Sequence, residues 1–488
     1  MSFSRRRLLL LTTAIAISTL YLYKLDGVGL LGPDEPRYAA IGQAMARTGD
    51  FVTPRLWGSA WFEKPPLLYW MVASGTLAGL NPELAARLPV ALLSLAFLAV
   101  CFGMLRREFG FEAAAISTAL LATSAGWITY SDLCLTDLPL AVCFSIAVFS
   151  ALPLLDHRSE GKRIHWRFLV IGIFIGLAVL AKGLVPIALC APFFWFLRRS
   201  WRSWWIAAVS CGIVAAPWYL AMYSRNGYPF IQEFFWKHHI ERLYSPSLQH
   251  VHPWYYYFPV LLAGLFPWTP LLGLLFLRGA VWDVRRRFLA AVLIFGFVFF
   301  TLSLNKLPGY LLPLIPSLFA IIGAEFETKH VAELSRWWLI ACAALIAVIP
   351  MIAPVLPESL TVGRLTSVPM NSIPRIELLY VAALFMAVFL VRRSWAGMLL
   401  ALCVVSGGIY LKNVEFPILD RQVSARGLWR SIGGLSDEAC DLWIDRDWLY
   451  GLGFYRGALF PPCAVGKGKF AFALRSHGHG APALEPIK

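Results

Sequence analysis

The chain is poor in charge. Only 15% of its 488 residues are Asp, Glu, Lys or Arg, while 59% are hydrophobic. A soluble domain carries nearer about 25% charge, so an ordinary soluble fold is excluded. The nine cysteines include no Cys-x-x-Cys pair, and most are read as small core residues of apolar spans. There is no Gly-rich phosphate loop, so no nucleotide cofactor is expected. No motif interleaves basic and aromatic residues, so no nucleic-acid partner is expected either, and the histidines show no standard metal-ligand spacing.

Long apolar runs are what the sequence does have. They fall at about 7–25, 84–105, 112–131, 137–155, 168–181, 184–197, 204–222, 254–277, 288–304, 308–324, 337–355, 377–391 and 395–411, each near the length a bilayer-crossing helix needs, which makes roughly 13 spans. Arg5-Arg6-Arg7 followed by Leu8 to Tyr23 reads as an uncleaved first helix rather than a signal peptide. The stretch 64–80 is broken by Pro65, Pro66, Gly75 and Gly79 and reads as an interfacial helix.

The net charge of +15 is placed unevenly. With the N-terminus in the cytoplasm, the cytoplasmic connections collect Arg106-Arg107, Arg158 to Arg167, Arg198-Arg199, Arg285-Arg286-Arg287 and Arg392-Arg393. That is the positive-inside bias. The opposite face then receives Asp34, Glu35, Arg37, Glu63, Lys64, Asp132, Lys182, His238, His239, Arg242 and Lys306, with Asp137 at its edge. Loop 26–83 is too long for a plain connector and carries two of these clusters, Asp34-Glu35-Pro36-Arg37 and Glu63-Lys64-Pro65-Pro66.

Each polar group has two readings. Asp34 is a general base facing a cavity or the N-cap of a helix over 36–48 that Gly49-Asp50 closes. Glu35 and Arg37 join it in the site or form a surface ion pair. Lys64, stiffened by prolines, aims at a lipid phosphate or snorkels to the headgroups. Lys182 interrupts an apolar run and must lie at a span end or be paired; Lys306 with Tyr310 repeats the pattern. Asp137 caps the next helix or orients Lys182 or Arg37. Glu63 with His238 or His239 binds a divalent metal (zinc, magnesium or manganese), or the histidines simply hydrogen-bond.

The composition turns polar at about 412, which divides the chain into a membrane domain, 1–411, and a small α/β domain outside the cytoplasm, 412–488. Strands are expected at 442–444 and 470–472, with a helix near 420–432. Cys440 and Cys463 either pair in an oxidising compartment or stay as two thiols.

Asp34-Glu35-Pro36-Arg37-Tyr38-Ala39, Phe62-Glu63-Lys64-Pro65-Pro66, Lys182-Gly183, His238-His239-Ile240-Glu241-Arg242 and Lys306-Leu307-Pro308-Gly309-Tyr310 occur in this order. Over residues 25–325 the chain resembles the bacterial aminoarabinose (lipid A) transferases, relatives of the protein O-mannosyltransferases. The resemblance implies an all-α polytopic membrane protein of GT-C fold in the bacterial inner membrane, with its active site facing the periplasm. It implies transfer of a sugar from a polyprenyl (undecaprenyl) phosphate carrier to lipid A or another envelope glycan. Asp34 matches the family's essential aspartate. Lys64, Arg242 and Tyr310 match groups that hold the carrier phosphate. Glu63 and a histidine match a metal position, and Lys182 and Asp137 match cavity residues. Pro36 stands where Thr is usual, and beyond 325 the likeness fades, so the sugar and acceptor stay open, a protein acceptor included. A flippase for a lipid-linked sugar is the competing class. It would place charges near the bilayer midplane, often on repeats; here they gather at one edge and no repeat is visible.

Overall fold

The computed structural model describes residues 3–155, 162–241, 251–276, 282–326, 334–352, 384, 393–466, 470–476 and 481–487. Helix dominates. Among the described residues, six helical stretches are long and apolar enough to cross a membrane, or seven if Trp254–Gly264 and Thr269–Phe276, bent by 109°, form one span. The predicted spans at 84–105 and 112–131 appear as Pro82–Ala122, two helices joined at Gly110, whose φ of 85° breaks the helix. The run 184–197 is cut into Val185–Leu189 and Ala191–Phe196, each with a proline in its first turn. Apart from Leu384, the span expected at 377–391 lies outside the described residues.

The two faces drawn from charge are two ends of the helices. At one end Arg285 meets Glu108 at 3.0 Å and Arg286 meets Glu325 at 3.6 Å. At the other, Lys182 meets Asp137, Lys412 meets Asp132, and Arg87 meets Glu35. Pairing satisfies charges at the apolar boundary, where an isolated ion is costly.

Loop 26–83 folds into two helices, Asp34–Thr48 and Leu67–Leu77. Asp34 and Glu35 supply negative charge to the first turn, where the helix dipole favours it. Pro36 is tolerated there because its missing N–H has no partner to lose. The expected cap differs, however. Pro33 occupies the N-cap position with no side-chain bond, and Asp34 is the first helical residue. Its carboxylate is therefore available elsewhere. Tyr38, Ala39, Ile41 and Met45 are buried on one face of this helix, in the core that also holds Tyr69 and Val72 of the second.

The chain stays helical across the boundary expected at 411. The helix Arg393–Gln422 continues through it, carrying Lys412 and Glu415 into buried positions. The C-terminal unit has helices Ala425–Ile432 and Arg446–Arg456 and a three-stranded sheet. Strand Ala439–Trp443 runs parallel to Phe472–Arg475, which pairs antiparallel with Ala483–Pro486. Cys440 and Cys463 are disulfide-bonded. Docking to the membrane domain is polar. Arg426 donates to the carbonyls of Asp26 and Gly27 and to Glu83, and the Tyr455 hydroxyl donates to Glu83 at 2.8 Å.

Candidate active site

Asp34 and Arg37 stand three positions apart at the helix start and so share a face. Arg37 donates to Asp34 and, at 3.1 Å, to Glu63. Glu63 also meets Lys64 at 3.2 Å. Burial works against the Arg37 cation, but Glu63 and Asp34 outweigh it and hold its pKa above the usual arginine value. The expected surface pair of Glu35 and Arg37 is therefore corrected. Both are buried, and they point to different partners.

Glu35, expected beside Asp34 in the site, is fully engaged within the fold. Its two oxygens accept from Arg87 Nε and Nη2, each at 2.7 Å, and from the backbone N–H of Leu31 and Cys134. Four bonds exhaust a carboxylate's ordinary capacity. Arg87 also donates to the carbonyls of Leu25, Val28 and Gly29. Sequence reasoning passed over Arg87. Its signal was an arginine inside an apolar run, which marks a function or a partner.

Asp137 begins the helix Asp137–Ala151 and Lys182 ends Lys162–Lys182. The two side chains meet at 2.5 Å. The Lys182 ammonium also lies 4.7 Å from the centre of the Tyr310 ring. Gly309 is needed here, because a Cβ would fall 2.2 Å from Asp137 Oδ1 and 2.8 Å from the Tyr130 hydroxyl. Burial, then Asp137, push the Tyr130 phenol above its usual range, so it remains a hydrogen-bond donor.

These segments surround one cavity of about 490 Å³. Arg37, Lys64, Lys182, Lys237 and Arg446 line it with Asp34, Glu63, Asp137 and Glu233. His238 lines it as well. The cations suit an anionic ligand, while Asp34, 39% exposed in its side chain, is open to accept a proton. Arg446 and Tyr450 come from the C-terminal domain, a contribution the sequence reading left unassigned. Tyr450 stacks on Trp57 at 5.9 Å and lies beneath the Arg37 guanidinium at 4.9 Å.

Two expected phosphate ligands are placed differently. Lys306 donates to the carbonyls of Ser303 at 2.6 Å and His252 at 3.1 Å, so its ammonium serves the loop and is not among the cavity lining. Tyr310 reaches the site through Lys182. Arg242 and the side chain of His239 lie outside the described residues. Of the expected metal ligands, Glu63 meets Arg37 and Lys64 and shares the cavity with His238, and among the described residues no group of three His, Cys, Asp or Glu side chains gathers to hold an ion.

Known proteins resemble this chain in sequence and fold. A family model described as dolichyl-phosphate-mannose-protein mannosyltransferase matches residues 7–244. An undecaprenyl phosphate-alpha-4-amino-4-deoxy-L-arabinose arabinosyl transferase of Pseudomonas aeruginosa (strain LESB58) is 33% identical over 326 residues, 63% of this chain and 58% of that protein. One from Pseudomonas fluorescens (strain Pf0-1) is 32% identical over 334 residues, 65% of this chain and 59% of its own length. The matched region thus spans less than two thirds of these relatives. The crystal structure of ArnT from Cupriavidus metallidurans bound to undecaprenyl phosphate superposes with a TM-score of 0.75 at 21% identity, covering 99% of this chain and 98% of that one. Its apo form gives 0.74 at 23% identity, covering 98% and 87%. Fold and site define an integral membrane protein of GT-C architecture. The chain is similar to the aminoarabinose transferases over part of its length, to the protein mannosyltransferase family model over residues 7–244, and in fold to ArnT.

Proposed function

We propose that the chain transfers a sugar from a polyprenyl phosphate carrier to an envelope lipid or glycan, on the periplasmic side of the bacterial inner membrane. The observation that carries this reading is the convergence of Asp34, Lys64, Asp137 and Lys182, from three separate stretches, on one cavity. The relatives named above support undecaprenyl phosphate as the carrier and an aminoarabinose as the sugar.

Lys64 and Lys182 hold the carrier phosphate. An acceptor oxygen attacks the anomeric carbon from the side opposite the phosphate, and the bond from that carbon to the phosphate oxygen breaks. Its proton passes to Asp34. The two ammonium groups take up the charge that grows on the departing phosphate, where fixed cations in a partly dry site act strongly. Arg37 fixes Asp34 and Glu63, so the base is held before the substrate arrives. This reading requires no nucleotide.

The test is mass spectrometry of envelope lipids and glycans from cells with the wild type, without it, and with Asp34→Ala. A sugar present only with the wild type supports the reading and names the acceptor. An unchanged envelope with lipid-linked sugar held on one leaflet would replace it with a flippase. A protein acceptor is the second reading, favoured by the mannosyltransferase family match; the same cells would then lose sugar from a protein.

A further inference from the structure

Behind the reaction cavity lies a second one, of about 480 Å³, walled by the helices Phe3–Leu22, Ala125–Ser131 and Arg393–Gln422. Leu20, Ile128, Phe266, Val404 and Leu411 make most of it apolar. One turn of chain separates the two spaces. Asp132 and Leu133 line the second, and Leu135, Thr136 and Asp137 line the first. The Glu35–Arg87 pair stands beside this partition.

The polar groups of the second cavity are unbalanced. All five Arg87 N–H groups are spent on Glu35 and three carbonyls. Lys412 spends its three on Asp132 Oδ2 at 2.6 Å and on the carbonyls of Leu20 at 2.8 Å and Tyr23 at 3.3 Å. Glu415 lines the cavity, is 1% exposed, and has no hydrogen-bond partner at either carboxylate oxygen. Asp132 Oδ1 is also unmatched. Carboxylate acceptors are in surplus and the cationic donors are exhausted. Buried polar atoms are rarely left so unless something else meets them.

This polar end lies beside residues suited to a membrane interface. Beside Lys412, the exposed Asn413 accepts from the Tyr23 hydroxyl at 2.8 Å and from Lys24 at 2.7 Å, the residue types that mark a membrane interface. We propose that the cavity binds a membrane amphiphile whose chain fills the apolar part and whose head donates a hydrogen bond, from a hydroxyl or an ammonium, to Glu415. Its chemistry is opposite to that of the reaction cavity, where cations await an anion. The volume lies within the range of pockets that enclose a small ligand, about 300–1,000 Å³, and suits one chain. The inference does not depend on the transfer reaction.

The experiment uses the full chain in detergent micelles and three photoreactive probes with a diazirine in the same long alkyl chain: an alcohol, an amine and a carboxylic acid. The alcohol or the amine should label peptides bearing Ile128, Val404 or Leu411 saturably, and whichever labels more strongly identifies the head. The acid should label about tenfold less, the loss expected when a charge-assisted hydrogen bond is absent. Glu415→Leu should lower labelling by a similar factor, and Val404→Trp, which fills the space, should abolish it. Equal labelling by acid and alcohol, unsaturable labelling, or wild-type labelling in both variants would overturn the proposal. The headgroup comparison needs only the wild type, so it stands even where a variant fails to fold. Asp34→Asn should label as the wild type does, so this inference and the proposed reaction fail separately.

Discussion

Lys182 and Asp137 lie 45 positions apart and meet at 2.5 Å at the end of two adjacent helices. Both side chains are largely buried, yet both line the reaction cavity. A phosphate entering there would compete with Asp137 for the ammonium. Lys182→Met should lower transfer about 100-fold, the scale of losing one fixed group aimed at developing charge. Release of polyprenyl phosphate, followed by mass spectrometry, reads the rate. An unchanged rate would remove Lys182 from the phosphate.

Adjacent carboxylates should behave in opposite ways. Asp34→Asn should abolish transfer while leaving the thermal midpoint in detergent near that of the wild type. Glu35→Ala leaves Arg87 buried without its counter-ion and should cost about 3–5 kcal/mol of stability, seen as poor yield and a lowered midpoint. A stable, inactive Glu35→Ala would return Glu35 to the chemistry.

The C-terminal domain places Arg446 and Tyr450 in the cavity. Arg446→Ala should raise the KM for the acceptor more than that for the carrier. Tyr450→Ala, which removes the ring between Trp57 and Arg37, should lower kcat. Equal KM values for the wild type and Arg446→Ala would place acceptor recognition elsewhere.

The disulfide closes a loop of 23 positions, a constraint worth roughly 3 kcal/mol in the chain-entropy account. Replacing Cys440 and Cys463 together by Ser should make the C-terminal domain sensitive to limited proteolysis while the membrane helices stay protected. Equal cleavage rates would deny the bond that role.

Asp50 supplies a pH test. Burial raises its pKa, but the backbone N–H groups of Val52 and Thr53, then Arg225, prevail and hold it below 3.8. A depressed folded-state value means the contribution is complete above pH 3.8 and fades as pH falls through the lower folded value. The midpoint of Asp50→Asn should therefore lie below the wild type's at neutral pH, and the gap should close in acid. A gap that persists in acid would point to lost packing instead.

Asp34, Glu63, Lys64 and Lys182 were legible because each stands beside an apolar run, where a charge is costly without a reason. Their common face followed from alternation of the spans. Lys306 looked identical by that measure. Only folding showed that its ammonium goes to two carbonyls. Glu415 was missed because it sits in a polar-looking stretch after 411, where hydropathy falls although the helix continues. Arg446 and Tyr450 were invisible as site residues because docking carries them to a cavity otherwise lined by residues 33–309.

The sequence by itself determined that the chain lives in a membrane and that its candidate groups gather at one end of the spans. Those properties depend on composition summed over tens of residues, and no particular contact is needed to read them. Which of two neighbouring carboxylates does what was decided by tertiary structure. On a helix each residue turns about 100° from the last, so Asp34 points to the cavity while Glu35 points to Arg87, and an arginine 52 positions away settles the role of each.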